Sequence, residues 1–314
     1  MYYDRTPPDH TLATLRESAF FAKLREQAGS SWGEEALSHI ELRSNANGPK
    51  NGWVQLYVGG TSVLELRANA RGRFRLHAHP DYRRTVADFP RLPLDHRSLD
   101  RLSEWLERYL HGVISAVDDR YRSGEHALHA RLVRRYSAAP DGPLTPVDTE
   151  VIVGFSSDPD RRRFVEELRA RMGASHRELD TLCVLPSGDI GLVELKRARD
   201  SIAVAARQAA SHRLILGRLI SESRKRNPGY QLADTVNRHI HHKRALGLLT
   251  GRSHEATPDA RLIPIVATED EGSGWAERWR DEIAAVRGRH PELLGALQLW
   301  RLDLEGRVLE VRPA

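Results

Sequence analysis

Two β-forming runs separated by a short turn constrain the fold of this 314-residue chain more than any other feature. The runs are Glu178 to Leu185 and Ile190 to Lys196, with Pro186-Ser187-Gly188 between them. In a three-residue hairpin loop, proline suits the position that needs its fixed φ, and glycine suits the one that needs a positive φ. The pattern therefore predicts an antiparallel hairpin with one defined register.

This register has a chemical consequence, because it brings charged side chains together. If Leu185 pairs with Asp189, then Asp180 lies directly opposite Glu194 and shares its face of the sheet. Lys196, two residues further along, shares that face as well. Two close carboxylates repel each other unless a cation lies between them, and oxygen-only ligation is typical of Mg²⁺ or Mn²⁺. The hairpin thus predicts a divalent-metal site with a neighbouring amine that could orient a water or neutralise a phosphate.

An Asp on one strand followed by Glu-x-Lys on the next, here Asp180 and Glu194-Leu195-Lys196, resembles the signature of the PD-(D/E)XK nuclease superfamily. That family's core runs helix, three strands, helix, strand, and residues from about 124 to 269 can be laid on this order. The resemblance implies an α/β protein with a restriction-endonuclease-like mixed sheet flanked by helices. It also implies a Mg²⁺- or Mn²⁺-dependent DNA endonuclease, with Asp180 and Glu194 as metal ligands and Lys196 positioning the attacking water.

The resemblance implies further residues in the site. The helix after the lysine often carries Gln followed four residues later by Tyr, and here Gln208 and His212 have that spacing, with His in place of Tyr. The family also places a Glu on the helix before the first strand. Glu125 fits this position best, and Glu167 and Glu150 are the alternatives.

Basic residues are concentrated in one part of the chain. The whole chain has a net charge of +5, whereas Arg197 to Arg244 contains eleven Arg or Lys against three acidic residues, a local excess of +8. If the hairpin is a nuclease site, this stretch is expected to contact DNA phosphates, through Arg218, Arg224, Lys225 and Arg226. The alternative is a solvated charged face. The histidines at 239, 241 and 242 indicate a surface or phosphate-contacting cluster rather than a zinc site, because no cysteine completes the set.

The chain length favours two domains, and the polar segment Asp118 to Gly124 predicts the boundary between them. Residues 1–122 are expected to form an N-terminal α+β domain for sensing or dimerisation, and residues 123–314 the nuclease domain. The first is predicted to contain helices over Thr11 to Ala28 and Leu99 to Val117 and a three-stranded meander. The second is predicted to have a sheet with the strands Glu150 to Phe155, Glu178 to Leu185, Ile190 to Lys196 and Arg261 to Thr268.

Composition excludes disordered and fibrous classes, since 40% of the residues are hydrophobic and 29% are charged. With one cysteine, Cys183, and no long apolar run, we expect a cytoplasmic protein. DNA and a second copy of the chain are the expected partners, as in bacterial restriction or anti-phage defence nucleases. Two alternatives remain open: a catalytically inactive nuclease-fold protein that binds DNA or assembles, and a nuclease that cuts RNA.

Overall fold

The computed structural model describes residues 1, 3, 6–44, 52–69, 71–139, 142–155, 157–172, 178–197, 202–250, 253–269 and 275–313. Within these residues the protein is a mixed α/β structure with two β-sheets, each in its own compact unit. The meander unit contains Asp4–Ala138 and His241–Thr250. The hairpin unit contains Met1–Tyr3, Ala139–Ile240 and Gly251–Ala314.

The meander unit contains a sheet in the antiparallel order β1-β2-β3-β4. Its strands are β1 (Ser38–Ser44), β2 (Gly52–Val58), β3 (Thr61–Ala68) and β4 (Phe74–His77). Its helices are α1 (Asp9–Arg16), α2 (Ala19–Gly29), α3 (Ser31–Glu35), α4 (Pro80–Arg83), α5 (His96–Asp100), α6 (Ser103–Ala116) and α7 (Gly124–Ala138). The predicted three-stranded meander is confirmed as β2 to β4, but β1 was not predicted.

The two long helices predicted for this unit are each divided. The predicted helix over Thr11 to Ala28 is α1 followed by α2, because Ser18 caps α2 and its hydroxyl accepts a hydrogen bond from the backbone N of Phe21 at 3.2 Å. The prediction over Leu99 to Val117 becomes α5 and α6. In both places the apolar spacing continues across the break, so the pattern alone did not reveal it.

The division into compact units falls after Ala138, not after residue 122, so α7 belongs with the N-terminal residues. The helix packs against β1 and buries an apolar face that includes Leu128, Leu132 and Tyr136. Arg134 also holds α7 in place, because its Nη1 donates hydrogen bonds to the carbonyl oxygens of Ala28, Gly33 and Ser38 at 2.6 to 2.8 Å.

The hairpin unit contains a mixed sheet in the order β10-β9-β8-β7-β6-β5. Its strands are β5 (Thr145–Ile152), β6 (Glu178–Val184), β7 (Ile190–Lys196), β8 (Leu262–Thr268), β9 (Gln298–Leu302) and β10 (Val308–Pro313). Its helices are α8 (Asp158–Met172), α9 (Ile202–Arg226), α10 (Leu232–Ala245, whose last residues belong to the meander unit), α11 (Trp275–Arg289) and α12 (Pro291–Leu294). Strands β7, β8 and β9 are parallel to one another, and the remaining pairs are antiparallel.

Three of the four strands predicted for this sheet are confirmed as β6, β7 and β8. The first strand was predicted at Glu150 to Phe155, but β5 spans Thr145–Ile152. Because β5 is an edge strand, it tolerates Pro146, so the strand begins five residues earlier than predicted. Glu150 departs from strand geometry, with a φ of 48°.

Charged residues of β1 are buried in the meander unit. His39, Glu41 and Arg43 alternate along the strand, and each is at most 7% exposed. The Nζ of Lys243, itself 1% exposed, lies 3.3 Å from Oε2 of Glu41. His239 and His242 were predicted to belong to a surface or phosphate-contacting cluster, but both are buried beside the apolar residues Val236 and Ile240 of the same helix.

The buried imidazole of His39 predicts that the protein loses stability in acid. Burial, followed by the nearby His129 and Lys243, lowers the pKa of His39 well below its ordinary value. The imidazole is therefore protonated near pH 6.5 in the unfolded chain, whereas in the folded chain it stays neutral at that pH. As a result, the free energy of unfolding falls as the pH drops below about 6.5, by up to about 1.4 kcal/mol per pH unit. Urea unfolding of the wild type and His39→Gln at about pH 7.5 and about pH 5 should show a smaller difference for the variant. His10→Gln, on the exposed side of α1, is the control, and equal differences in all three proteins would contradict the prediction.

Within the described ranges, no helix is both long and apolar enough to cross a bilayer.

Candidate active site

The β6–β7 hairpin has the register that the turn predicted. Thr181 pairs with Val193, and the pairing continues without a shift to Val184 and Ile190. The backbone N of Leu185 donates to the carbonyl oxygen of Asp189 at 2.9 Å. Gly188 has a φ of 80°, and a Cβ atom there would lie 2.5 Å from Cγ2 of Thr257, so the turn requires glycine.

The positions of Asp180 and Glu194 follow directly from this register. The pairing of the two strands ends at Thr181 and Val193, and extending its register by one residue sets Asp180 opposite Glu194, on the other face from those two residues. Oδ2 of Asp180 accepts a hydrogen bond from the backbone N of Leu195 at 2.7 Å, which holds the carboxylate across the hairpin. Glu194 is 1% exposed, whereas Asp180 is half-buried.

Helix α9 covers this face and brings His212 to the pair. Four alanines on α9 are fully buried, at 205, 206, 209 and 210, and their small side chains let the helix approach the sheet closely. Nε2 of His212 lies 2.9 Å from Oε1 of Glu194. Burial lowers the pKa of His212 to about 4, and the charges of Asp180 and Glu178 oppose this only in part. The imidazole is therefore neutral at neutral pH, and it contacts the buried carboxylate without cancelling its charge.

Gln208 lies one turn before His212 on α9. Its Oε1 atom is buried and, among the described residues, has no hydrogen-bond partner. A buried amide oxygen of this kind is typical of a group that faces a water or a ligand. The spacing of Gln208 and His212 thus places both on the part of α9 that covers the hairpin.

The three candidates for the additional Glu that the family places upstream of the hairpin lie in different surroundings. Thr149 pairs with Thr181 and Val151 pairs with Leu179, so the register sets Glu150 beside Asp180. Glu125 is on α7 in the meander unit and is not part of the unit that contains the hairpin. Glu167, on α8, forms an ion pair with Arg218. Of the three, Glu150 is the acid that the sheet brings next to Asp180.

Lys196 is half-buried at the end of β7, two residues beyond Glu194 and on the same side of the strand. Continuing the hairpin register sets Lys196 opposite Glu178.

Cys183 is on the opposite face of β6 from Asp180 and is fully buried, and burial raises the pKa of its thiol to about 12. The thiol is therefore a core group and not a nucleophile.

The donor set suits a hard cation. No group of three or more His, Cys, Asp or Glu side chains in the described part of the chain is arranged to hold a metal. Mg²⁺ is nevertheless usually bound through one or two carboxylates and keeps several waters. The carboxylates of Asp180 and Glu194 fit that requirement, and Gln208 carries a buried amide oxygen one turn before His212 on α9.

The four basic residues predicted to contact nucleic acid lie in the second half of α9. Arg218 is half-buried against Glu167, whereas Arg224, Lys225 and Arg226 are exposed in the last turn. Lys225 pairs with Glu222 at 2.9 Å, and Arg224 donates from Nε to the carbonyl oxygen of Tyr230 at 3.3 Å. The last turn begins about 18 Å along the helix axis from His212.

Two residues near the pair were not assigned a site role from the sequence. His212 was recognised by its spacing from Gln208, but its contact with Glu194 was not predicted. Glu178 acts electrostatically on His212 and lies two residues before Asp180, so the strand period could have indicated it.

Comparison with family models, curated proteins and solved structures finds no match for this chain.

Proposed function

We propose that the protein is a metal-dependent nuclease of the PD-(D/E)XK type that hydrolyses phosphodiester bonds in DNA. The observation that carries the proposal is the hairpin register, which on extension by one residue sets Asp180 and Glu194 on one face, with Lys196 two residues further along. Burying one carboxylate and half-burying a second carboxylate and an amine costs folding free energy, and such costly arrangements are typical of functional sites.

The topology of the hairpin unit supports the proposal. Strands β5, β6 and β7 form an antiparallel meander, and α9 and α10 then cross to β8, which lies parallel to β7. This is the family's order of three strands, helix and strand. Two departures are α8, inserted between β5 and β6, and α7, which groups with the meander unit.

Each residue has a role that its surroundings suggest. Asp180 and Glu194 would hold Mg²⁺ or Mn²⁺, which when bound supplies Lewis-acid stabilisation of charge on the phosphate. Lys196 holds the attacking water through its ammonium group and offsets negative charge on a phosphate oxygen. The backbone N of Leu195 donates a hydrogen bond to the carboxylate of Asp180, and Nε2 of His212 lies 2.9 Å from Oε1 of Glu194.

Supporting residues complete the proposed site. Gln208 offers its amide oxygen to a water or to the metal's hydration shell. Glu150, next to Asp180 in the sheet and held at an unusual positive φ, is the better candidate than Glu125 for the upstream acid. The basic last turn of α9 would contact phosphates of the DNA backbone. Because one such site cuts one strand, an enzyme of this kind that makes double-strand breaks is expected to act as a dimer.

A cleavage assay with the full chain tests this function. Supercoiled plasmid, linear DNA and RNA are each incubated with the protein in Mg²⁺, in Mn²⁺ and in EDTA. We expect nicking or linearisation of DNA with either metal and none in EDTA. DNA binding that persists in EDTA, with no cleavage of any substrate in either metal, would instead favour an inactive nuclease-fold binding protein.

A further inference from the structure

A cavity of about 310 Å³ lies in the hairpin unit, beside α8 and α9 and the loop that follows β5. None of its lining residues belongs to the β6–β7 hairpin. Its volume is at the lower end of the range that small ligands occupy in proteins, about 300–1,000 Å³. The cavity is therefore large enough for one small ligand.

Three arginines line the cavity. Arg163 is exposed on α8 and, within the described ranges, takes part in no ion pair or hydrogen bond. Arg226, at the end of α9, donates from Nη2 to the carbonyl oxygen of Met1 at 2.5 Å, which leaves its charge uncompensated by that contact. Arg218 pairs with Glu167 outside the lining. Arg163 and Arg226 are thus the cations best placed to bind an anionic group.

One wall of the cavity is aromatic. The rings of Phe155 and Phe164 lie 5.5 Å apart between centroids. The guanidinium of Arg218 lies over the ring of Phe164, 5.1 Å from its centroid. Phe164 is buried, but Phe155 is only half-buried and presents surface to the cavity. Aromatic rings and guanidinium planes are surfaces on which a nucleobase stacks.

Two carboxylates and Met1 complete the lining. Asp160 accepts a hydrogen bond from the hydroxyl of Ser157 at 2.7 Å, and Glu222 pairs with Lys225 at 2.9 Å. Carboxylates repel a simple anion, but they accept hydrogen bonds from the amino and ring N–H groups of bases. A ligand that uses the whole lining therefore has an anionic group, a flat aromatic ring and hydrogen-bond donors.

We propose that this cavity binds one nucleoside monophosphate unit. The phosphate contacts Arg163 and Arg226, and the base lies against Phe155 with its donors toward Asp160 and Glu222. The unit comes either from a free mononucleotide or from the end of a nucleic-acid strand. In the second case the inference rests on the proposed nuclease function. Arg218, which lines the cavity, follows His212 on α9 by about 9 Å along the helix axis, so the cavity lies close to the proposed cleavage site.

Equilibrium binding to the full chain in EDTA, where the proposed cleavage is blocked, tests the proposal. The probes are the four deoxynucleoside monophosphates, the matching nucleosides and inorganic phosphate. We expect at least one mononucleotide to bind, and its nucleoside and inorganic phosphate to bind at least about tenfold more weakly. Inorganic phosphate that binds as tightly as every mononucleotide, or no mononucleotide binding at all, would overturn the proposal.

Substitutions locate the binding. Arg163→Ala and Phe155→Leu should each weaken mononucleotide binding about tenfold, through loss of a charge-assisted contact and of stacking. Arg162→Ala is the matched control, since Arg162 is the exposed neighbour of Arg163 on α8 and does not line the cavity. Its binding should stay within about twofold of the wild type. An equal loss in Arg162→Ala and Arg163→Ala would assign the effect to general charge and overturn the proposal.

A second set of probes distinguishes the two sources. Short single-stranded oligonucleotides with and without a terminal 5′-phosphate are competed against the bound mononucleotide. Competition only by the phosphorylated strand, lost in Arg163→Ala, indicates a strand end, and no competition by either strand indicates a free mononucleotide. Plasmid cleavage is measured in parallel. A chain that cuts DNA without binding mononucleotides would overturn this proposal alone, and one that binds them through Arg163 without cutting would overturn only the nuclease function.

Discussion

Replacing Asp180 with Asn should reduce DNA cleavage in saturating Mg²⁺ by about 10³-fold or more while the fold is retained. The amide can still accept the hydrogen bond from the backbone N of Leu195, so the hairpin geometry survives, but the charge that would hold the metal is lost. Lys196→Met should have an effect of the same order, because the ammonium group that offsets phosphate charge disappears. Initial rates of plasmid nicking measure the effect, and thermal unfolding followed by circular dichroism verifies the fold.

Asp259→Asn is the matched control for this experiment. Asp259 is an exposed carboxylate of the hairpin unit that precedes β8, and β8 begins beside Ile190, at the other end of β7 from Glu194 and Lys196. Its replacement should change the cleavage rate by less than about threefold. Wild-type cleavage by Asp180→Asn, or an equal loss in Asp259→Asn, would refute the assignment of Asp180 and Glu194 as the central pair.

The second large effect concerns stability and the buried pair in the meander unit. Lys243→Met should lower the free energy of unfolding by about 3–5 kcal/mol, because it leaves Glu41 charged and buried without the ammonium that now lies 3.3 Å away. The side chains of Lys243 and Glu41 are 1% and 0% exposed, so water cannot replace the lost partner. Urea unfolding followed by tryptophan fluorescence measures the change.

A double variant separates the ion pair from general packing. Glu41→Leu combined with Lys243→Met removes both charges and should recover most of the lost stability, since apolar replacements of a buried pair are often close to neutral. Asp88→Asn is the control, because the ion pair of Asp88 with Arg108 in the same unit is 61% and 59% exposed and should contribute no more than about 1 kcal/mol. A double variant as unstable as Lys243→Met would show that the charge of Glu41 is not the cause.

The amino-acid sequence by itself determined the hairpin and its register. Pro186 and Gly188 specify the turn, and once the turn is set, the two-residue period of a strand assigns Asp180 and Glu194 to one face and Cys183 to the other. The meander β2 to β4 and the strands β6, β7 and β8 were also evident from local spacing. These features depend on residues only a few positions apart, and such short-range geometry can be deduced from order alone.

Tertiary structure alone decided which of the polar groups meet and how deeply they are buried. Glu41 and Lys243 are 202 residues apart, and no periodicity relates them. The low pKa of His212 arises from the packing of α9 on the sheet, and Glu150 takes precedence over Glu125 because β5 pairs with β6 while α7 packs in the other unit. The cavity between Arg163 and Arg226 likewise requires α8 and α9 to be adjacent. Desolvation and charge pairing depend on distance through space, and sequence separation does not encode that distance.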